Sequence, residues 1–110
     1  MVAISGSTAL KDGQVVGVND AAAQTRQTLQ TITEALEALG ASIDDVYRYR
    51  VFITRVEDGD AVFGVLSEFF GAVHPTATLV VIAALVHPDL VVEIEADAIV
   101  GSASPVSIRQ

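Results

Sequence analysis

The sequence predicts an α+β fold in which one mixed sheet carries two helices on a single face. Three observations predict it: apolar residues recur at helical spacing in two segments, alternate at strand spacing in others, and the segments follow in the order β-β-α-β-α-β-β. At 110 residues the chain has the length of one domain. Hydrophobic residues make up 51%, ample for one core, and a domain this small leaves part of its apolar surface outside.

Met1 to Gly6 reads as a short strand and Lys11-Asp12-Gly13-Gln14 as a turn, with glycine supplying the permissive backbone. Val15 to Val18 then returns as the second strand of a hairpin. Asn19 and Asp20 are N-cap residues for a long amphipathic helix, and Gly40 stands where a left-handed C-terminal cap belongs. Ala22, Leu29, Ile32, Leu36 and Leu39 form its apolar stripe, with Gln24, Gln27, Gln30, Glu34 and Glu37 elsewhere around the wheel.

After a turn at Ser42 to Asp45, Val46 to Ile53 is rich in β-branched and aromatic residues and predicts a strand. Period two sends Tyr47, Tyr49, Val51 and Ile53 to a helix-covered core and Arg48, Arg50 and Phe52 to the other face. Asp58 and Asp60 open a second helix with Val62, Leu66, Phe69 and Phe70 as its stripe and Gly71 as its end. Thr78 to Val86 is a nearly continuous apolar strand, and His87-Pro88-Asp89 breaks it. Leu90 to Val100 is the last strand, with Val92, Ile94, Ala96 and Ala98 opposite Glu93, Glu95 and Asp97. Residues 1–100 form the domain and 101–110 a terminal tail. The bare sheet face, carrying Phe52 among charges, points to contacts between subunits.

Composition excludes several function classes. Fourteen acidic residues against six basic give a formal charge of −8, and Lys11 is the one lysine. No basic stripe exists to neutralise phosphates, so nucleic acid is not an expected partner. The absence of cysteine excludes disulfides, thiolate nucleophiles and Cys-based zinc sites. No stretch approaches the ~18 to 20 apolar residues that span a bilayer, and no signal-like segment opens the chain, so a soluble cytoplasmic protein without membrane partners is expected.

The most informative local feature is the acid row Glu93, Glu95, Asp97 on one strand face. Alternate residues stand about 6.6 to 6.8 Å apart, so the three repel unless cations or water intervene. Arg48 and Arg50 repeat the same two-residue spacing, and pairing between strands or across a subunit boundary satisfies both sets. An ion-pair ladder explains most of the row. The chemical reading is that one glutamate positions a water or relays a proton, and Glu93 is the candidate. His74 and His87 precede prolines at element ends, where surface or capping roles are usual, and their separation matches no metal-ligand pattern. Ser5-Gly6 and Thr76-Ala77-Thr78 offer hydroxyl and backbone groups, but no nucleophile elbow, P-loop or dinucleotide fingerprint is present.

An ordered set of segments carries a family likeness: Ser5-Gly6 after a strand, Gln24-Thr25-Arg26 in the long helix, Gly40-Ala41-Ser42 before Asp44-Asp45-Val46, Phe52-Ile53-Thr54, Phe69-Phe70, Pro75, and Val92-Glu93-Ile94-Glu95-Ala96. Together they resemble the Rid (YjgF) family over about residues 4 to 100. The resemblance implies a chorismate-mutase-like α+β fold and a homotrimer, with sheets facing a central barrel and clefts between neighbouring subunits. It implies deaminase chemistry in which water attacks an imine carbon and ammonia leaves, with no metal or organic cofactor.

In deaminase members an arginine in a Pro-x-Arg segment grips the substrate carboxylate, and a glutamate of the last strand holds water. Here the matching segment is Pro75-Thr76-Ala77, so Ala77 occupies the arginine position, and no arginine lies between Arg55 and Arg109. Glu93 matches the water-holding glutamate, and Ser5 and Gly6 match residues lining the cleft. The further stretch that members usually carry before the Ser-Gly element, with a cleft-lining tyrosine, is not part of this sequence.

Two function classes follow. The first is a trimeric enzyme that adds water to an imine, enamine or related small metabolite, with Glu93 catalytic and Ser5, Gly6, Ala77, Thr78 and Arg50 binding substrate. The second is a non-catalytic trimer of the same fold that binds a small molecule or a protein in that cleft. A ribonuclease ranks last because of the acidic charge.

Overall fold

The computed structural model describes residues 1–71 and 73–102. Strand β1 (Val2–Ser7) leads into a two-stranded hairpin, β2 (Leu10–Lys11) and β3 (Gln14–Val15), and then into helix α1 (Ala21–Ala38). Strand β4 (Val46–Ile53), helix α2 (Gly59–Phe70), strand β5 (Thr76–Val81) and strand β6 (Val92–Ala98) complete the order. The main sheet runs β1-β6-β4-β5, with β6 antiparallel to both neighbours and β5 parallel to β4. This is the expected α+β architecture, a mixed sheet with two helices.

The expected hairpin is corrected. Strand β1 pairs with β6, not with Val15 to Val18, and the Asp12-Gly13 turn closes only the short β2-β3 pair. Asp12 and Gly13 both have positive φ, 52° and 80°, the backbone that matches strand twist in a two-residue hairpin. That turn is complete within a few residues, whereas β1 gains a full-length partner in β6 and covers part of the core with Val2 and Ile4.

Both caps of α1 form as read. The Asp20 carboxylate accepts from the Ala23 N–H at 3.0 Å. At the other end Gly40, at φ 83°, lets its own N–H reach the Glu37 carbonyl while the Ala41 N–H reaches that of Leu36. Leu29, Ile32 and Leu36 are fully buried against the sheet, each stabilising the fold by roughly 1.5–3 kcal/mol. Leu39, expected in the stripe, is 58% exposed because it already belongs to the cap.

Gln24, expected outside the stripe, has 0% exposure. Its Nε2 donates to the carbonyls of Gly17 at 3.1 Å and Asp89 at 2.7 Å, and its Oε1 accepts from the Val91 N–H at 2.9 Å. One amide thus joins α1 to the loop before it and to the approach to β6, which is how a polar side chain is tolerated inside.

In β4, Tyr49, Val51 and Ile53 enter the core as predicted, joined by Val46. Tyr47 does not, because the register with β6 shifts between Val46 and Arg48 and reverses the alternation before Arg48. Helix α2 buries Val62, Val65, Leu66 and Phe70, and Phe70 stacks on Tyr49 with ring centroids 4.5 Å apart. The fifth strand begins two residues earlier than Thr78 and stops at Val81, just before the Ile82 N–H makes a last bond to the Ile53 carbonyl of β4 at 2.8 Å. The last strand keeps the predicted alternation, with Val92, Ile94, Ala96 and Ala98 in the core. The tail expected from residue 101 lies outside the described residues beyond Ser102.

Candidate functional site

Strand register arranges the open sheet face in rows. Asp97 is paired across the ladder with Arg48, which faces Thr76; Glu95 with Arg50, which faces Thr78; and Glu93 with Phe52, which faces Val80. Residues paired in this way share a face, so acids, arginines, threonines and Phe52 form one surface opposite the helices. Arg50 binds the Glu95 carboxylate through Nε and stands 4.0 Å from Asp97 Oδ2, while Arg48 Nε lies 3.6 Å from the same oxygen. The ion-pair ladder expected from the sequence therefore forms within one chain.

Glu93 is the exception in the row. Its carboxylate makes no hydrogen bond or ion pair with any described residue. Its side chain lies instead over Gly6 in the irregular stretch of β1 between Ile4 and Ser7, and a Cβ added to Gly6 would stand 2.9 Å from Glu93 Cδ. Glycine at position 6 leaves the room in which that carboxylate rests. Ser5 precedes it, and its carbonyl accepts from the Ser7 hydroxyl at 3.1 Å. Ser5, Gly6 and Glu93 thus come together at the β1-β6 side of the sheet.

Ala77 is elsewhere. It pairs with Tyr49 in the β4-β5 register and so faces the helices, not the acids. There it lines a cleft of ≈ 240 Å³ between α2 and the start of β5, together with Tyr49, Phe63, Leu66, Phe70 and Pro75. Besides the Tyr49 phenol, Ser67 and His74 supply polar side chains to that lining, which among the described residues has no lysine or arginine. Burial pushes the Tyr49 phenol above its ordinary value. Within one chain, then, Ala77 and Glu93 occupy opposite faces, while Thr78 and Arg50 share a row on the acid side.

Reasoning from sequence passed over Phe63 and gave Gly71 and His74 only helix-end and surface or capping roles. Phe63 is 63% exposed at the cleft, and its signal was an aromatic residue outside the α2 stripe. Gly71, expected only as a helix end, also lines the cleft, and an added Cβ would meet the Ser67 carbonyl oxygen at 2.6 Å. His74 adopts φ 49°, a conformation few non-glycine residues hold, and donates its N–H to the Phe70 carbonyl at 3.0 Å. It also borders a second, more polar cleft of ≈ 310 Å³ containing Asp44, Tyr47, Thr76 and Ser102. Among the described residues no three His, Cys, Asp or Glu side chains form a group able to hold a metal.

The model of the family described as Endoribonuclease L-PSP matches residues 1–100. The chain belongs to that family, also called YjgF or Rid. Rv2704 of Mycobacterium tuberculosis, a member of the YjgF/YER057c/UK114 family, is 39% identical, with 89% of this chain and 77% of that one covered at TM-score 0.79. YyfB of Yersinia pestis, from the conserved Rid protein family, is 33% identical over 88% of this chain and 76% of its own, at TM-score 0.79. TdcF of E. coli, solved with bound serine, is 29% identical over 88% and 78%, at TM-score 0.80. The Rid-family fold expected from the ordered motifs is thus shown. No helix of the described residues is long and apolar enough to cross a membrane.

Proposed function

We propose that this Rid-family chain adds water to the carbon of a reactive imine or enamine, at a site shared between two subunits of a homotrimer. The observation that carries the reading is the state of Glu93. Two of three acids in the row have arginine partners, and Glu93, on glycine and beside Phe52, has none. A carboxylate without a protein partner is available to accept a proton from water.

The step balances simply. As the water oxygen bonds to the imine carbon, Glu93 takes a water proton and passes it to the nitrogen. The remaining hydroxyl then gives its proton through Glu93 to the amino nitrogen, and as the carbonyl forms the carbon–nitrogen bond breaks and ammonia leaves. Ser5 and Gly6 line the water side, and Thr78 and Arg50 shape the same sheet face. The Ala77 cleft faces the other way, so one chain's Glu93 meets a second chain's cleft only in an assembly. The exposed apolar residues of β5, Leu79, Val80 and Val81, support such an assembly. Serine bound to TdcF supports a small-molecule ligand for this chain as well.

A second reading, a binding trimer without catalysis, is favoured by one observation: among the described residues no lysine or arginine lines the Ala77 cleft. Imines generated in situ from amino acids and from simple amines separate the two. Carbonyl formation above the spontaneous rate for at least one imine, lost in Glu93→Gln, supports the enzyme; no acceleration with any of them leaves the binding reading. RNA cleavage abolished by Glu93→Ala would displace both.

A further inference from the structure

The cleft at Ala77 has a chemistry of its own. Its base is the Tyr49–Phe70 stack, with rings inclined by 14°, and its rim carries Phe63. Tyr49 and Phe70 are almost wholly buried, so the base is fixed by the core, while the Phe63 ring stands largely in solvent. A large ring held out beside a preformed apolar surface favours an apolar occupant between them.

Charge makes the choice sharper. Besides the Tyr49 phenol, Ser67 and His74 are the polar side chains of the described lining, and the two arginines of the neighbouring strand project from the opposite face, engaged by Glu95 and Asp97. The phenol of Tyr49, held above its ordinary value by burial, stays uncharged. A carboxylate-bearing ligand, serine included, would lose water here without gaining an arginine fork from the described residues. At ≈ 240 Å³ the cleft lies below the roughly 300–1,000 Å³ of drug-sized sites and suits a single ring or branched group.

We propose that this cleft receives the uncharged, ring-sized apolar part of the substrate, so that the substrate is the imine or enamine of an apolar amine without a carboxylate. The inference names the substrate class of the site in which Glu93 adds water, and so rests on that reading for its catalytic meaning. The cleft's ligand preference is measurable without catalysis.

Phenylacetamide and phenylacetate carry the same ring and differ in one group. In NMR titrations of the full chain, phenylacetamide is expected to shift the Ala77 methyl and Phe63 ring signals and to bind about tenfold or more tighter than phenylacetate, since an unpaired buried charge is strongly disfavoured. Ala77→Arg, at an exposed position of an edge strand, is expected to reverse the preference. Phe63→Ser, at an exposed helix position, is expected to weaken the amide alone and provides a second test if the arginine variant does not fold.

Phenylacetate binding as tightly as the amide overturns the proposal, as does an amide that shifts no cleft signal, including the case in which a second copy fills the cleft. Imine assays distinguish this from failure of the catalytic reading. Amide binding with no imine accelerated retains the cleft's preference and removes catalysis; equal acceleration of carboxylate-bearing and carboxylate-free imines retains catalysis and removes the preference.

Discussion

Gly6 and Glu93 depend on each other at the level of single atoms. The group nearest an added Cβ is the end of a flexible side chain, so Gly6→Ala moves the Glu93 carboxylate and leaves the backbone in place. Calorimetry is expected to show a stability change of no more than about 0.5 kcal/mol. The same variant is expected to lose roughly tenfold or more in imine turnover, because a misplaced reacting group loses its alignment with the substrate. Tyr49 gives a pH test. Its phenol is raised by burial above 10.0, so the folded state holds the proton longer than the unfolded one. The resulting stability is intact below pH 10.0 and is lost as pH rises through the folded-state value. Alkaline denaturation curves of the protein and of Tyr49→Phe should show this loss only in the former. The sequence singled out two positions, Glu93 through its alternation and Ala77 through its motif. The opposite directions in which they face were not legible, because a motif gives order along the chain and the facing is set by pairing between strands.

At the scale of elements, the helices and the last strand were readable because their periods are long and their ends carry capping residues with local chemistry. Asp20 and Gly40 need only their own neighbours to act. The partner of β1 was less readable, since a tight turn nearby suggests a hairpin while the ladder that forms spans nearly the whole chain. Gln24 shows the same limit. Its polarity placed it outside the helix stripe, yet three backbone groups, two of them distant in sequence, turn it inward. Gln24→Ala leaves those groups without their partner and is expected to cost about 1–3 kcal/mol in denaturant unfolding. Hydrogen exchange at the Val91 amide should quicken beyond what the loss of global stability explains. An unchanged Val91 rate would show that the clamp does not hold the approach to β6.

The whole molecule presents an unfinished surface. Every residue of β5 is exposed, no helix among the described residues covers the half-buried acids of the other sheet face, and the two halves of the proposed site look in opposite directions. The proposed trimer would resolve all three at once, and light scattering is expected to give three copies at micromolar concentration, with a stable monomer contradicting the shared site. Carbonyl release from in situ imines, run on the protein and on Glu93→Gln with matched assembly and folding, tests the central claim most directly. The account predicts acceleration over spontaneous hydrolysis that falls by about a hundredfold or more in the variant. Equal rates in the two proteins would contradict it.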